Sequence, residues 1–313
     1  MRSGFKEYHP HVNILFFIGV ITFGMLFRHP LYLLVSFVSS LAYYLKLTGK
    51  KGAKTFFGFL FPMLIFVVII NSFFNHYGVT PLFTLPSGNS FTFEALMMGI
   101  TTSLEVVSVI LWFFCCNEVV TEDKFMHAFG KILPKGALVV SMVLRFVPLY
   151  RQRLREVSDA QKGLGCSQEL SPIGKLKSGL RNFDILISWS LESAIETADS
   201  MKARGYGLKG RTYYSRFQWH TGDTVAAVLI FAAEAAVTVG AVLGATYSIY
   251  NPYVIINHPT DGISYFIREL NMTVYPFTLT GIISAAAYFL LCFAPLIIDI
   301  KENIKWNRLK SKI

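Results

Sequence analysis

Residues 56–74, FFGFLFPMLIFVVIINSFF, contain no charged side chain. A helix needs roughly 20 apolar residues to cross about 30 Å of hydrocarbon, and this run is long enough. Inside lipid every backbone polar group has to be satisfied within its own helix, so such a chain folds around a bilayer. Residues 95–116 form a second clear span, and 223–249 and 273–300 follow much later. Near the start, 12–27 and 31–45 are shorter apolar runs separated by Arg28-His29-Pro30, which reads as a tight helical hairpin. A cleavable signal peptide would need a small-x-small site, and Met25-Leu26-Phe27-Arg28 is a poor one, so 12–27 is read as a retained span. The expectation is an all-α polytopic membrane protein of about six transmembrane helices.

Composition agrees with this reading. Only 15% of the 313 residues are charged, against roughly 25% in an ordinary soluble domain. That excludes disorder and a conventional soluble enzyme core. A net charge of +10 raises nucleic acid as a partner, and the position of the charge answers it. Of the 29 Lys and Arg, 27 fall in four segments, 1–11, 46–54, 117–216 and 301–313, while 75–94 has none. Six spans with both termini cytoplasmic put all four segments inside, as the positive-inside rule requires. The two remaining basic residues are Arg28 and Arg268. The basic excess is a topology signal, and no nucleic-acid partner is expected. The chain then divides into an N-terminal membrane bundle (1–116), a cytoplasmic insert (117–216) and a C-terminal membrane hairpin (217–313).

The insert carries 16 basic and 10 acidic residues and has helical periodicity through most of its length. Its first piece, 117–135, places Phe125, Met126, Phe129, Ile132 and Leu133 at helical spacing, and Pro134 is expected to stop it. The next, 136–165, has Arg145 in an apolar front and Arg151, Arg153 and Arg155 after Pro148, and Gly163 and Gly165 end it. Residues 175–204 form an amphipathic helix. Leu180, Phe183, Ile187, Leu191, Ala194, Ala198 and Met201 line one side, and Asp184, Ser188, Glu192, Glu196 and Asp199 the other. Gly205 suits the left-handed position after its end, and Arg204 the last turn, where its charge meets the negative end of the helix dipole. By local chemistry alone Arg204 is a helix-end charge worth about 0.3–1 kcal/mol. Two such helices either transmit force to a cytoplasmic partner or brace the bundle.

Signatures of catalysis are missing. Gly49-Lys50-Lys51-Gly52-Ala53-Lys54-Thr55 lacks the spacing of a phosphate-binding loop, and HExxH and GxSxG do not occur. His11, His29, His76, His127, His220 and His258 are scattered over span ends and loops. Cys115, Cys116, Cys166 and Cys292 form no CxxC pair, so neither a zinc knuckle nor a disulfide framework is indicated. No metal and no cofactor are expected in this chain. Glu105 and Glu234 lie well inside expected spans, where a carboxylate marks either an ion pathway or structural polar pairing. A stand-alone secondary transporter built on them is the alternative function.

FPMLIFVVIINSFFNHYGVTPLF, residues 61–83, resembles a stretch of the transmembrane coupling subunit, or T component, of energy-coupling-factor transporters, with Asn71, Phe74, His76 and Gly78 matching. SLEVVSVILWFFCCNEVVTEDKFMHAFGKILPK and SMVLRFVPLYRQRLREVSDAQ fit the same family, and MKARGYG, residues 201–207, resembles its small-Arg-Gly hallmark. The resemblance implies a non-catalytic scaffold in the prokaryotic plasma membrane. It joins two cytoplasmic ATPases, which hold ATP and magnesium, to a small membrane protein that captures vitamins or transition-metal ions. It also implies that the insert is a pair of coupling helices whose small-Arg-Gly ends dock in the ATPases. Ala203-Arg204-Gly205 is one such end. The other departs: after Ala160-Gln161 come Lys162-Gly163-Leu164-Gly165, with Leu164 where the arginine is expected and a lysine two positions earlier.

Overall fold

Two His-Pro dipeptides start the first two long helices in the same way. A short turn, α1 (Gly4–Glu7), leads to α2 (Pro10–Leu26), where His9 Nδ1 accepts the His11 N–H at 3.3 Å. At α3 (Pro30–Thr48), His29 Nδ1 accepts the Leu31 N–H at 3.2 Å. Each cap satisfies a donor that the first turn leaves unpaired, and proline follows at the one helical position where its missing N–H costs nothing. The computed structural model describes residues 4–75, 78–84, 90–130, 134–165, 172–206, 208, 217–244, 246, 248–250, 253–256, 265–267, 272–274 and 278–310.

Lysine-rich α4 (Lys50–Thr55) runs through a π-helical turn, Phe56–Leu60, into α5 (Phe61–Phe74). A hairpin of β1 (Pro81–Thr84) and β2 (Ser90–Thr92) then feeds α6 (Phe93–Val119), capped by Thr92 Oγ1. Three helices follow: α7 (Glu122–Gly130), α8 (Pro134–Gly163) and α9 (Pro172–Ala203). After α10 (Thr221–Val242) come four short strands, β3 (Ser248–Ile249), β4 (Val254–Ile256), β5 (Tyr265–Ile267) and β6 (Met272–Val274), paired in the order β3-β4-β6-β5. The last element is α11 (Leu279–Lys310). The chain divides into two compact units, Met1–Lys124 with Phe217–Ile313, and Phe125–Arg216.

The first unit is the membrane bundle. Among the described residues five helices are long and apolar enough to span: Pro30–Thr48, Lys50–Phe74, Phe93–Val119, Thr221–Val242 and Leu279–Ile304. The sixth expected span, α2, is a shorter apolar helix of 17 residues. Its core is aromatic: Phe5, Phe16, Phe17, Tyr43 and Trp112 are buried in contact, with Phe16 and Trp112 edge to face at 5.8 Å. Polar atoms inside it are paired across helices. The Trp112 indole N–H donates to Ser36 Oγ at 3.0 Å and the Tyr32 hydroxyl to Ser284 Oγ at 3.0 Å. Outward, the π-helical turn, α5 and α10 expose Phe57, Phe66, Phe231 and Val228, the surface a hydrocarbon solvent stabilises.

Four sequence expectations are corrected here. The span expected at 223–249 stops at Val242; Gly244 turns the chain at φ 83° and Ser248–Ile249 is strand. The span expected at 273–300 starts at Leu279, because Met272–Val274 pairs with β4 and β5. Apolar β-branched and aromatic residues suit a strand as well as a buried helix, so hydropathy extended both spans too far. Pro134 does not end the helix of 117–135. α7 ends at Gly130 and Pro134 begins α8. The insert also starts later than 117: α6 continues to Val119, and Lys124, 4% exposed, donates to the Lys6 carbonyl at 2.6 Å.

Two buried carboxylates tie the N-terminal segment into this unit. Asp299 of α11 accepts the Phe5 N–H at 2.9 Å and lies 3.7 Å from Lys46 Nζ. Asp223 of α10 accepts the His9 N–H at 3.0 Å through one oxygen and the His220 N–H at 2.9 Å through the other.

In the second unit α8 and α9 meet where Tyr150 and Trp189 pack edge to face at 5.9 Å, with the Arg153 guanidinium 5.1 Å from the Trp189 ring centre. α8 passes through Pro148 without ending. The apolar side of α9 is largely open: Leu180, Phe183, Ile187 and Leu191 are all exposed, Leu191 to 62%.

Candidate functional site

α8 and α9 each stop at a glycine in the left-handed conformation. Gly205 sits at φ 80°, its N–H donates to the Lys202 carbonyl at 3.0 Å, and the Tyr206 N–H reaches the Met201 carbonyl at 3.0 Å. Those two bonds form a Schellman stop, which needs a left-handed residue that only glycine adopts cheaply. Gly165 sits at φ 75° and its N–H donates to the Lys162 carbonyl at 3.0 Å. One residue earlier, the Arg204 N–H bonds the Ser200 carbonyl at 3.1 Å and the Leu164 N–H bonds the Ala160 carbonyl at 3.0 Å. The ends superpose residue by residue in sequence, D-A-Q-K-G-L-G from Asp159 against D-S-M-K-A-R-G from Asp199.

This register settles what Lys162 corresponds to. It pairs with Asp159 at 2.9 Å, three residues back, as Lys202 does with Asp199 at 4.0 Å. By this register Lys162 is the counterpart of Lys202. Gln161 matches Met201, Gly163 matches Ala203, and Leu164 occupies the place of Arg204. Leu164 is 74% exposed, and the Arg204 side chain is exposed with no ion pair among the described residues. The tips lie 14 and 15 residues beyond Tyr150 and Trp189, about 21 and 22 Å at a helical rise. The unit thus carries two protruding ends of equal reach and different chemistry, one cationic and one apolar.

The second group of sequence-selected residues lies at the end of α5. Asn71 Oδ1 accepts the Asn75 side-chain amide at 2.5 Å, and Phe74 is 77% exposed. Gly78 has φ 100° and lies against the Glu94 carboxyl, where a Cβ would clash with the side chain. Glu94, fully buried, accepts the Thr80 hydroxyl at 2.6 Å and pins this loop to α6. His76 lies outside the described residues. These contacts describe a packed loop.

Glu105 and Glu234 are not brought together. Glu234 points one oxygen at Gly19 of α2, where that atom is buried and has no hydrogen-bond partner among the described residues. Glu105, on α6, lies within electrostatic reach of Arg28. No group of three His, Cys, Asp or Glu that could hold a metal occurs among the described residues, and His29 and His220 stand at helix starts. Cys115, Cys116 and Cys292 are free thiols. Sequence reasoning missed Glu94, Asp223 and Asp299 as buried tethers. Asp223 had a visible signal, three residues after His220 and ahead of an apolar run.

The molecule is therefore a polytopic α-helical membrane protein with a separate unit of two long helices ending in matched glycine stops. No family model matches the chain. Proteins named energy-coupling factor transporter transmembrane protein do match. One from Listeria monocytogenes is 33% identical over 105 residues, 33% of this chain and 40% of that protein. One from Streptococcus thermophilus is 36% identical over 97 residues, 30% of this chain and 37% of that protein. One from Macrococcus caseolyticus is 28% identical over 198 residues, 56% of this chain and 72% of that protein. The chain spans about two fifths of the length of the first two relatives. Over these stretches the chain is similar to the transmembrane components of energy-coupling factor transporters.

Proposed function

We propose that this chain is the non-catalytic coupling subunit of an importer for vitamins or transition-metal ions, in a prokaryotic cell membrane with both termini cytoplasmic. Its α8 and α9 ends dock into two cytoplasmic ATPases, which bind ATP and magnesium and hydrolyse the nucleotide. The membrane bundle holds a small membrane protein that captures the substrate. The observation that carries the reading is the pair of glycine-stopped ends in one register, Gly163-Leu164-Gly165 and Ala203-Arg204-Gly205, on helices of equal reach. A single brace needs no second copy of such a tip, whereas two ATPase subunits need one each.

The arginine end suits an acidic or carbonyl-lined groove, where the planar guanidinium forms charge-assisted bonds. The leucine end suits an apolar groove. Two unlike tips therefore favour two unlike ATPases over a homodimer. The deciding experiment is purification of the chain in mild detergent with whatever accompanies it. Two ATP-hydrolysing partners and a small apolar membrane protein are expected, and a chain that purifies alone and transports by itself ends this reading.

A further inference from the structure

The two ends of the span Lys50–Phe74 are built from opposite chemistry. Residues 46–54 hold four lysines, whereas 75–93, which leave the other end, contain no Asp, Glu, Lys or Arg. The β1–β2 hairpin in that second segment is apolar on its open surface. Leu82 is 48% and Phe83 51% exposed, and as neighbours on one strand they point to opposite faces of it.

Its rings continue the outward stripe of α5. Phe66, Ile69 and Phe73 share one face of that helix at spacings of three and four, and all three are exposed. Phe73 meets Phe91 of β2 at 5.6 Å, and Phe91 stacks on Phe83 of β1 at 4.7 Å with 13° between the planes. The stripe thus leaves the helix and crosses both strands without a break. The hairpin is held in this place by the Thr80 hydroxyl bonded to Glu94, and by the Phe93 N–H donating to the Thr80 carbonyl at 3.1 Å.

Neither water nor hydrocarbon suits such an element. A lone two-stranded hairpin is marginally stable at best in water. Each strand has a single strand partner among the described residues, so its outer edge keeps backbone groups that lipid tails cannot satisfy. The zone between head groups and acyl chains suits both, since it offers hydrocarbon to the rings and hydrated polar groups to the edges. The hairpin also starts at that depth. Phe56–Leu60 with Phe61–Phe74 rises about 28 Å, close to the roughly 30 Å of hydrocarbon in a bilayer.

We propose that the β1–β2 hairpin is seated in the phospholipid interface of the leaflet opposite the α4 lysines, with Leu82 and Phe83 among the upper acyl carbons. Lipid is the occupant because the ring row is continuous with the hydrocarbon-facing side of α5. Having no charge to match, the hairpin takes neutral and acidic phospholipids alike.

The test puts a nitroxide on Leu82→Cys in the full-length chain, alone in phosphatidylcholine vesicles. Cys116→Ala and Cys166→Ala remove competing thiols, and the fully buried Cys115 and Cys292 stay. Collisions with oxygen report lipid, and collisions with a water-soluble nickel chelate report water. The oxygen-to-nickel ratio at 82 should exceed that of a label on Lys54→Cys several-fold and fall below that on Phe66→Cys. Adding Phe83→Asp should lower the ratio at 82 to the Lys54→Cys value and leave the one at 66 unchanged, which shows that the span still inserts. Replacing half of the lipid with phosphatidylglycerol should change nothing. Nickel access at 82 equal to that at 54 overturns the proposal by placing the hairpin in water. So does shielding from both reagents, which would show a second copy of the chain covering it. An unchanged ratio at 82 in Phe83→Asp also overturns it, because the apolar surface would then not be what holds the hairpin in lipid.

Discussion

The ends of α8 and α9 share a stop, a register and a reach, and differ in one outward side chain. Leu164 and Arg204 follow the same backbone bond and precede a glycine with nearly the same φ, 75° against 80°. Where the geometry is duplicated and the chemistry is not, the backbone sets where a tip goes and the side chain sets what receives it. Two grooves that accept these tips in one orientation need equal depth and unlike lining. Specificity of that kind comes as much from what each groove rejects as from what it holds.

Charge reversal tests the difference most severely. Arg204→Glu should abolish co-purification of an ATPase, since losing one member of a desolvated charge pair costs about 2–5 kcal/mol and the new carboxylate adds repulsion. Leu164→Glu should weaken assembly less. Equal loss at both tips would mean equal grooves and collapse the comparison. Next comes exchange: Leu164→Arg combined with Arg204→Leu keeps the composition and swaps the addresses. ATP-driven uptake should fall by an amount matching one misplaced charge-assisted bond, about 1.5–3 kcal/mol. Normal uptake in the exchanged protein would show that the two grooves are interchangeable.

The shared part of the comparison predicts equal responses. Gly165→Val and Gly205→Val each force a β-branched residue into the left-handed region, at about 1–2 kcal/mol. Both should loosen partner binding to a similar extent while the chain still accumulates in the membrane, as co-purification and expression level would record. A large difference between them would mean that only one stop is used. Lys162→Ala and Lys202→Ala should do least, because exposed pairs at three-residue spacing contribute about 0.3–0.5 kcal/mol. If Lys162→Ala alone behaved like Arg204→Ala in a pull-down, the lysine would be serving as the missing cation after all.

The long helices were legible because charge-free runs of helical length have few other solutions, and glycines at 165 and 205 mark helix ends by the backbone they permit. The equivalence of the two ends was harder to see. Lys162 drew attention as the nearest cation to a missing arginine, and only the paired backbone bonds show that it matches Lys202. The spans expected at 223–249 and 273–300 overreach because hydropathy does not separate a short strand from the end turns of a span. His9 and His29 show a further limit: the His-Pro repeat was present, but histidine as a helix cap depends on which ring nitrogen faces the backbone. Nor could the sequence show that Glu105 and Glu234 face Arg28 and Gly19 instead of each other.

The ties at Phe5 and His9 carry a consequence for synthesis. Their carboxylate partners, Asp299 and Asp223, arrive 294 and 214 residues later in the chain. At about 5–20 residues per second, the ribosome needs roughly 15–60 s between making Phe5 and delivering Asp299. Until Asp223 is made the first segment has neither tie, and Phe5 then still waits for Asp299 while the insertion machinery or water hosts it. α11 therefore latches a segment made long before it, so a chain cut short before α11 keeps the His9–Asp223 tie and leaves Phe5 without its carboxylate.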